Sequence, residues 1–449
     1  MSMHGQWSSR LAFILAVAGS AVGLGNIWKF PYIAGQNGGG AFVLVYLACV
    51  FLVGLPIMMS EVLLGRRGRR NPMSTMRILG EEEAGQPQWQ LVGLGGLIAS
   101  FLILSYYSVI GGWTLHYILL SAQDSFANAD AALVNELFDG LVGSVGKLAL
   151  WHSVFMGLTA GVVARGVEQG LESAVRFMVP ALVLIMLALL GYAINSGDFE
   201  RGLHFLFDPD FSKLTPTAIL IAMGQAFFSL SVGMGAVMAY GAYLPQDESI
   251  IKTSIAVVST DTAIALLAGL VIFPIVFANG LDPAEGPGLV FHTLPLALGQ
   301  MPGGALVGTA FFILLAFAGL TSAISLLEPV VAWLVERRGM RRGAAGLLAG
   351  TGVWLLGWLT IVSFNVAADV KLLRGTFFDN IDFLTSNIML PLGGFFVTVF
   401  AGWVMCANSS ADELDPSAGI VYRTWRLLAR YVVPVAVTLV FLNAIGLFD

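Results

Sequence analysis

The sequence predicts an all-α polytopic membrane protein with about eleven transmembrane helices. They form a 5+5 inverted repeat in which helices one and six are broken. Three observations carry this prediction. The 449 residues are 57% hydrophobic and only 11% charged, where a soluble domain carries about 25% charged residues. Apolar stretches of about 20 residues, long enough to cross the hydrocarbon layer, recur along the whole chain. Two of those stretches are spoiled by glycines and polar residues, and the two lie five spans apart. The net charge of −6 adds little, because most ionisable residues fall in loops.

In order, the expected spans are 10–36, 39–65, 89–122, 147–165, 169–195, 216–243, 250–279, 304–335, 342–366, 380–406 and 423–447. The first opens as an ordinary membrane helix and then meets Gly19, Gly23, Gly25, Asn26, Lys29 and Pro31. In hydrocarbon an unpaired backbone group costs several kcal/mol, so such a break survives only where it lines a protein-enclosed or wet cavity. The freed carbonyls then become ligands. Span six repeats the theme with QAFFSLSVGMG at 225–235. An odd number of spans per repeat inverts topology, so the two breaks are expected to meet near the bilayer midplane. The competing explanation is that these glycines only allow close helix packing. The single transporter domain, 1–449, divides on this reading into repeats at 10–195 and 216–406, with 423–447 as an added span. The Gly- and Pro-rich 280–303 is expected to be an external loop that dips or caps.

Lysine and arginine set the orientation. With the N-terminus inside, 16 of the 22 fall on the cytoplasmic side, in agreement with the positive-inside rule. An odd span count leaves the C-terminus outside. A secretory signal is the rival account of the first apolar run, because Arg10 precedes it and Ala-Gly-Ser-Ala follows it at 18–21; the glycines and Asn26 beyond favour a retained site. Cys49 and Cys406 fall in separate apolar segments and are expected to be buried free thiols. The five histidines, His4, His116, His152, His204 and His292, do not cluster as a metal centre would require.

Ionisable residues inside spans are functional hypotheses by default. Lys29 and Asp382 fall toward external span ends and are candidates to close the outer mouth, or simply to snorkel to water. Glu61 is expected to brace backbone, and Glu328, just before Pro329, to be structural. Asp261 lies deep in span seven, where a carboxylate needs a proton or a facing cation; a sodium ligand and a proton relay both fit. Thr321 and Ser322 in AGLTSAIS (318–325) either back-bond to their own helix or offer oxygens to a hard cation. No Ser/His/Asp or metal constellation suggests an enzyme, and occlusion suits the broken helices better than a channel or receptor.

WSSRLAFILAVAGSAVGLGNIWKFPYIAGQNGGGAF at 7–42 resembles the first-helix signature of the neurotransmitter:sodium symporter family. SYYSVIGGW (105–113), GQAFFSLSVGMG (224–235), AGLTSAIS (318–325) and DNIDFLTSNIMLPLGG (379–394) are similar to further family segments in the same order. The resemblance spans essentially the whole chain and implies a LeuT-type fold and sodium-coupled import by alternating access. It implies a first sodium at Ala21, Asn26, Ser229 and Asp261 with the substrate carboxylate. A second would lie at Gly19, Val22, Ala318, Thr321 and Ser322. Substrate would lie against Leu24, Gly25, Ile103, Tyr107, Phe228, Ser229, Ser231, Met234, Ser322 and Leu326. Tyr107 would hydrogen-bond its carboxylate and Phe228 would close over it. Lys29 and Asp382 would form the outer gate, and Trp7, Arg10 and Glu336 would belong to the inner one.

Three departures from the family pattern matter. His4 stands where relatives commonly carry Arg, so a latch to a carboxylate near Glu336 would be weaker and pH-sensitive. Asp261 replaces a common Asn, and Ala265 stands where chloride-dependent relatives carry Ser, beside Tyr46, Gln225 and Ser229. A fixed anion there implies chloride independence. The chain has eleven spans where many relatives have twelve. Gly23 stands where monoamine-transporting relatives carry Asp, so the expected substrate is a neutral, hydrophobic amino acid; taurine and other small zwitterions stay open. The expected partners are this amino acid and the lipid bilayer of a bacterial inner membrane, with no nucleic acid and no obligate protein partner.

Overall fold

The computed structural model describes residues 7–284, 288–415 and 419–447. His4 lies outside them. Nine unbroken helices among these residues are long and apolar enough to cross a membrane. They are Gly40–Gly68, Pro87–Ala122, Val145–Ala164, Val167–Ser196, Ile250–Ala278, Gly304–Arg338, Arg342–Ser363, Phe377–Val404 and Ile420–Ala444. Arg10–Ala21 and Gly25–Gln36 form a tenth span bent by 51°. Pro216–Ser229 and Ala236–Gly241 flank a second interruption; the first of these is a shorter apolar helix, and the pair is counted here as one further span among the described residues. The spans are numbered one to eleven in chain order below.

Long apolar runs build the unbroken spans, although Pro180, Pro274 and Pro329 lie inside three of them. Packing against neighbouring helices lets membrane helices tolerate proline, and local devices set the span ends. Ser9, Ser144 and Ser249 cap spans one, four and seven by accepting backbone N–H groups, satisfying donors that a helix start leaves free. Span eight is 78% buried over its most apolar stretch and span eleven 22%. Span eight, packed along span three, is therefore scaffold core, and span eleven is a rim facing lipid. The segment expected to dip or cap carries a short helix, Leu289–Gly299. Its Phe291 carbonyl accepts from the Tyr117 hydroxyl at 2.9 Å, which docks it on span three.

One expectation fails. Cys49 is buried, but Cys406 is exposed. Span ten ends at Val404, and Cys406 instead caps the next short helix, its Sγ 3.4 Å from the Ser409 N–H. The apolar run in sequence is longer than the helix it builds.

Candidate functional site

The two interruptions meet. Span one's first half stops because Val22 turns extended (φ −69°, ψ 95°), and the chain resumes in a π-helical turn at Gly25. Such turns are frequent at functional sites. In span six, Ser231, Gly233 and Gly235 take φ of 53°, 87° and 77°, the left-handed region that glycine enters without a Cβ penalty. Ser231 is the exception, and its hydroxyl donates to the Ser20 carbonyl of the other break at 3.1 Å. Gln225 Nε2 donates to the Gly25 carbonyl at 2.9 Å. Buried Glu61 reaches from span two to accept from the Gly233 and Met238 N–H groups at 2.6 and 3.2 Å, the bracing role expected of it.

Asn26, Ser229 and Asp261 form one fully buried cluster. Asn26 Nδ2 donates to Asp261 Oδ1 at 2.8 Å and to Ser229 Oγ at 3.1 Å. Ser229 Oγ donates to Asp261 Oδ2 at 2.6 Å, and Tyr46 lies 3.1 Å from the same hydroxyl. Asn26 Oδ1 accepts from the Gly23 N–H at 3.2 Å. Amide, hydroxyl and carboxylate oxygens, with freed carbonyls beside them, are the hard donors a sodium ion takes.

The second predicted ion site is assembled more loosely. Thr321 Oγ1 donates to the Phe317 and Ala318 carbonyls of its own helix at 3.1 and 3.0 Å. Ser322 Oγ instead crosses to the Ser20 carbonyl at 2.9 Å. Donating its proton leaves a hydroxyl's lone pairs free to accept, so back-bonding and cation binding are compatible here. A Cβ placed on Gly19 would sit 3.4 Å from Thr321 Cβ, so the two predicted ligands face each other. Ser20 and Ser325, joined Oγ to Oγ at 2.7 Å, extend this cross-tie and were not singled out from sequence. Ser325 lies one helical turn after Ser322, which is the signal that could have found it.

Eight of the ten predicted substrate residues line one small central pocket of about 20 Å³: Gly25, Ile103, Tyr107, Phe228, Ser231, Met234, Ser322 and Leu326, together with Ala21 and Gly23. Ser229 lies behind it in the Asp261 cluster. Leu24 faces the other way, into a larger vestibule, while its N–H donates to the Tyr107 hydroxyl at 3.2 Å. The vestibule holds about 350 Å³ and is walled by aromatic rings, among them Trp28, Trp113, Phe291 and Phe378. Tyr107 and Phe228 border both cavities, so they separate them.

The predicted gate residues lie at opposite ends. At the vestibule end Lys29 and Asp382 share the vestibule wall, but the Lys29 ammonium lies 4.0 Å over the Phe228 ring and makes no ion pair with Asp382. At the basic end Trp7 is buried against Tyr240 and Tyr243, ring centroids 5.4 and 6.1 Å away, and its Nε1 donates to the Tyr240 carbonyl at 3.2 Å. Arg10 lies 3.7 Å from Glu248. Glu336 accepts from the Asn71 N–H and Nδ2 at 2.7 and 2.6 Å. Sequence reasoning missed Glu172, buried in span five, which accepts from the Ser8 backbone at 3.1 Å and pairs with Arg176 at 2.7 Å. An acid four residues before an arginine inside an apolar run was the available signal.

A helical membrane fold whose two interrupted helices gather carbonyls, hydroxyls and one carboxylate around a central pocket has the arrangement of a secondary transporter. The model of the Sodium:neurotransmitter symporter family matches residues 4–138 and 134–448. The chain belongs to that family and is a sodium-dependent transporter. It is 39% identical over 447 residues to the uncharacterized sodium-dependent transporter YhdH of Bacillus subtilis, covering 99% of this chain and 98% of that one. Human sodium- and chloride-dependent GABA transporter 2 is 25% identical, over 98% of this chain and 79% of its own length. Among solved structures, MhsT in complex with L-phenylalanine superposes with a TM-score of 0.90 at 41% identity, over 98% of this chain and 100% of that one.

Proposed function

We propose that this transporter imports a neutral amino acid with a hydrophobic side chain, coupled to sodium and independent of chloride. The observation that carries the reading is the Asn26–Ser229–Asp261 cluster set directly behind the pocket that Tyr107 and Phe228 roof. One sodium is held by Ala21, Asn26, Ser229 and Asp261, and a second by Gly19, Val22, Ala318, Thr321 and Ser322. The substrate's carboxylate completes the first ion's shell and hydrogen-bonds Tyr107. Ion and substrate thus share contacts, which is the physical basis of their coupling.

Substrate class rests on Gly23. A Cβ there would lie 2.5 Å from Ser322 Oγ and 2.9 Å from the Tyr107 hydroxyl, so a side chain at this position would have to displace both hydroxyls, and with glycine there an amine finds no counter-ion from this residue. Ile103, Met234 and Leu326 supply apolar walls. The L-phenylalanine complex of the similar MhsT supports the same class. Chloride independence follows from charge: Ser229, which would donate to a halide, donates to Asp261 Oδ2 at 2.6 Å, and Ala265 adds no hydroxyl. Unit charges about 4 Å apart interact by roughly 4 kcal/mol at an effective dielectric of 20, so a fixed carboxylate can replace a bound anion.

The repeats 10–195 and 216–406 work as a bundle of spans one, two, six and seven rocking against the remainder. The basic end is cytoplasmic and the vestibule end external, in a bacterial inner membrane. The test is uptake into proteoliposomes with external sodium or chloride replaced in turn, by potassium or gluconate, at fixed pH. Uptake is expected to need sodium and to ignore chloride; for Asp261→Asn with Ala265→Ser it should become chloride-dependent. Uptake that persists without sodium and follows a proton gradient contradicts the reading.

A further inference from the structure

Span eleven carries an arginine for which the transport reading has no use. Between Ile420 and Ala444 the chain holds Arg423, Arg426 and Arg430 and no acidic residue. An ionisable side chain inside a span normally has a partner, because hydrocarbon penalises a lone charge. Arg426 is satisfied by the Ser410 and Tyr422 hydroxyls and the Met405 carbonyl. Arg430 is not. Its Nε donates to the Gly402 carbonyl at 2.6 Å, while its two Nη groups have no partner among the described residues. Arg66, Arg67 and Arg342, at the same basic end, each meet a carboxylate; Arg430 meets none among the described residues.

The surroundings hold this guanidinium in place. Spans ten and eleven both make a π-helical turn at this level, Phe400–Val404 and Leu428–Val432, and the two turns tie each other reciprocally. Trp403 Nε1 donates to the Arg430 carbonyl at 2.9 Å, while Arg430 Nε donates to Gly402. A Cβ on Gly402 would sit 3.3 Å from Arg430 Cγ, so glycine there allows the close approach. The guanidinium lies over the Trp403 ring, Cζ 5.1 Å from its centroid, and Tyr431 meets that ring edge-on at 5.5 Å. Yet Trp403 is 51% and Tyr431 56% exposed, on the rim that faces lipid. Span ten ends one residue after Trp403, and tryptophan and tyrosine so placed mark the headgroup level of a bilayer. A guanidinium anchored at Nε on an aromatic ring offers its two Nη groups as a planar fork, which matches two phosphate oxygens.

We propose that Arg430, flanked by Trp403 and Tyr431, binds the phosphodiester of an anionic phospholipid at the cleft between spans ten and eleven. Net negative charge is selected because span eleven brings arginines and no acid to this level, and basic groups beside a membrane helix recruit anionic lipid. Which leaflet supplies the lipid rests on the orientation proposed above; the binding does not.

The test uses the full chain in nanodiscs in which phosphatidylglycerol replaces phosphatidylcholine in steps. Phosphatidylglycerol should raise the apparent unfolding temperature, because a ligand of the folded state stabilises it, and native mass spectrometry should find it retained on the chain. Arg430→Gln should raise the lipid fraction for half-effect about fivefold, the contribution of one basic side chain near a charged membrane surface. Arg430→Lys keeps the charge but loses the fork, so it should raise that fraction about twofold; it also reports if Arg430→Gln fails to fold. Arg337→Gln removes one charge from the exposed end of span eight and should leave the response unaltered. An unaltered half-effect in both Arg430 variants overturns the site. An equal shift in Arg337→Gln also overturns it, because bulk surface charge would then explain the response. Stabilisation by inorganic phosphate in pure phosphatidylcholine, lost in Arg430→Gln, would assign the site to a soluble anion and overturn the lipid.

Discussion

The two ends of this molecule are closed by different physics. The basic end is bolted by directional, charge-assisted bonds between distant segments. Arg342 pairs with buried Glu328, which also accepts from the Tyr243 hydroxyl at 2.7 Å. Arg66 pairs with Glu413 at 2.7 Å and donates to the Glu248 carbonyl at 2.5 Å. The vestibule end has aromatic walls and the Lys29 ammonium resting on the Phe228 ring, without an ion pair between Lys29 and Asp382. Short bonds with fixed geometry make a two-state latch, either made or broken. Rings that slide over one another let a lid settle by degrees. The pocket between the two ends sits below the adaptable side and above the bolted one.

The contrast breaks most readily at Glu328. Removing one partner of a buried ion pair leaves the other uncompensated and costs about 3–5 kcal/mol, whereas removing both costs less. Glu328→Gln should therefore lower the unfolding temperature markedly and expose the Tyr240–Leu244 backbone to hydrogen exchange. Arg342→Gln added to it should recover part of the loss. If the double variant is worse than the single one, the pair is not the bolt.

The vestibule end should tolerate more. A cation–π contact of this kind contributes about 0.5–2 kcal/mol, so Lys29→Met should change the apparent KM for substrate by several-fold and leave the unfolding temperature nearly unaltered. An effect on stability as large as that of Glu328→Gln would remove the distinction between the ends.

The smallest effect concerns pH, on the short helix Phe199–Phe207 outside the spans. The Asp208 carboxylate, 2.5 Å from His204 Nδ1, holds the imidazole above its ordinary pKa of 6.5, with help from Glu200. A raised folded-state value means the stabilisation is complete below the ordinary pKa and fades as pH rises through the raised one. Asp208→Asn should therefore lie slightly below the unmodified protein in unfolding temperature at pH 5.5 and converge with it at alkaline pH. A gap that widens with pH would have the wrong sign.

Much of this was legible in the sequence, for a physical reason. Hydrocarbon tolerates so few polar groups that each departure from an apolar run carries information. The breaks at Gly19–Asn26 and Ser229–Gly235, the Glu61 brace and Asp261 were visible on that basis. Bonds between segments far apart in sequence were not. Nothing local tells Glu336 to hold Asn71, Glu172 to hold Ser8, or Arg342 to find Glu328. Lys29 shares the vestibule wall with Asp382, yet its ammonium lies over Phe228, because a ring face and a carboxylate compete for one ammonium and only packing decides between them. Cys406 is exposed and caps a short helix beyond span ten, because hydrophobicity marks the length of an apolar run, not where its helix stops.

In the proposed mechanism, ion and substrate carboxylate share one shell at Asn26, Ser229 and Asp261. Coupling of that kind is reciprocal. The direct measurement is equilibrium binding of a neutral amino acid to the purified protein across a sodium series at constant ionic strength. The amine that lacks only the carboxylate is measured alongside. Amino-acid affinity should rise steeply with sodium, and the amine should bind weakly at every sodium concentration. An amino-acid affinity that ignores sodium, or an amine that gains as much from it, would contradict the shared shell.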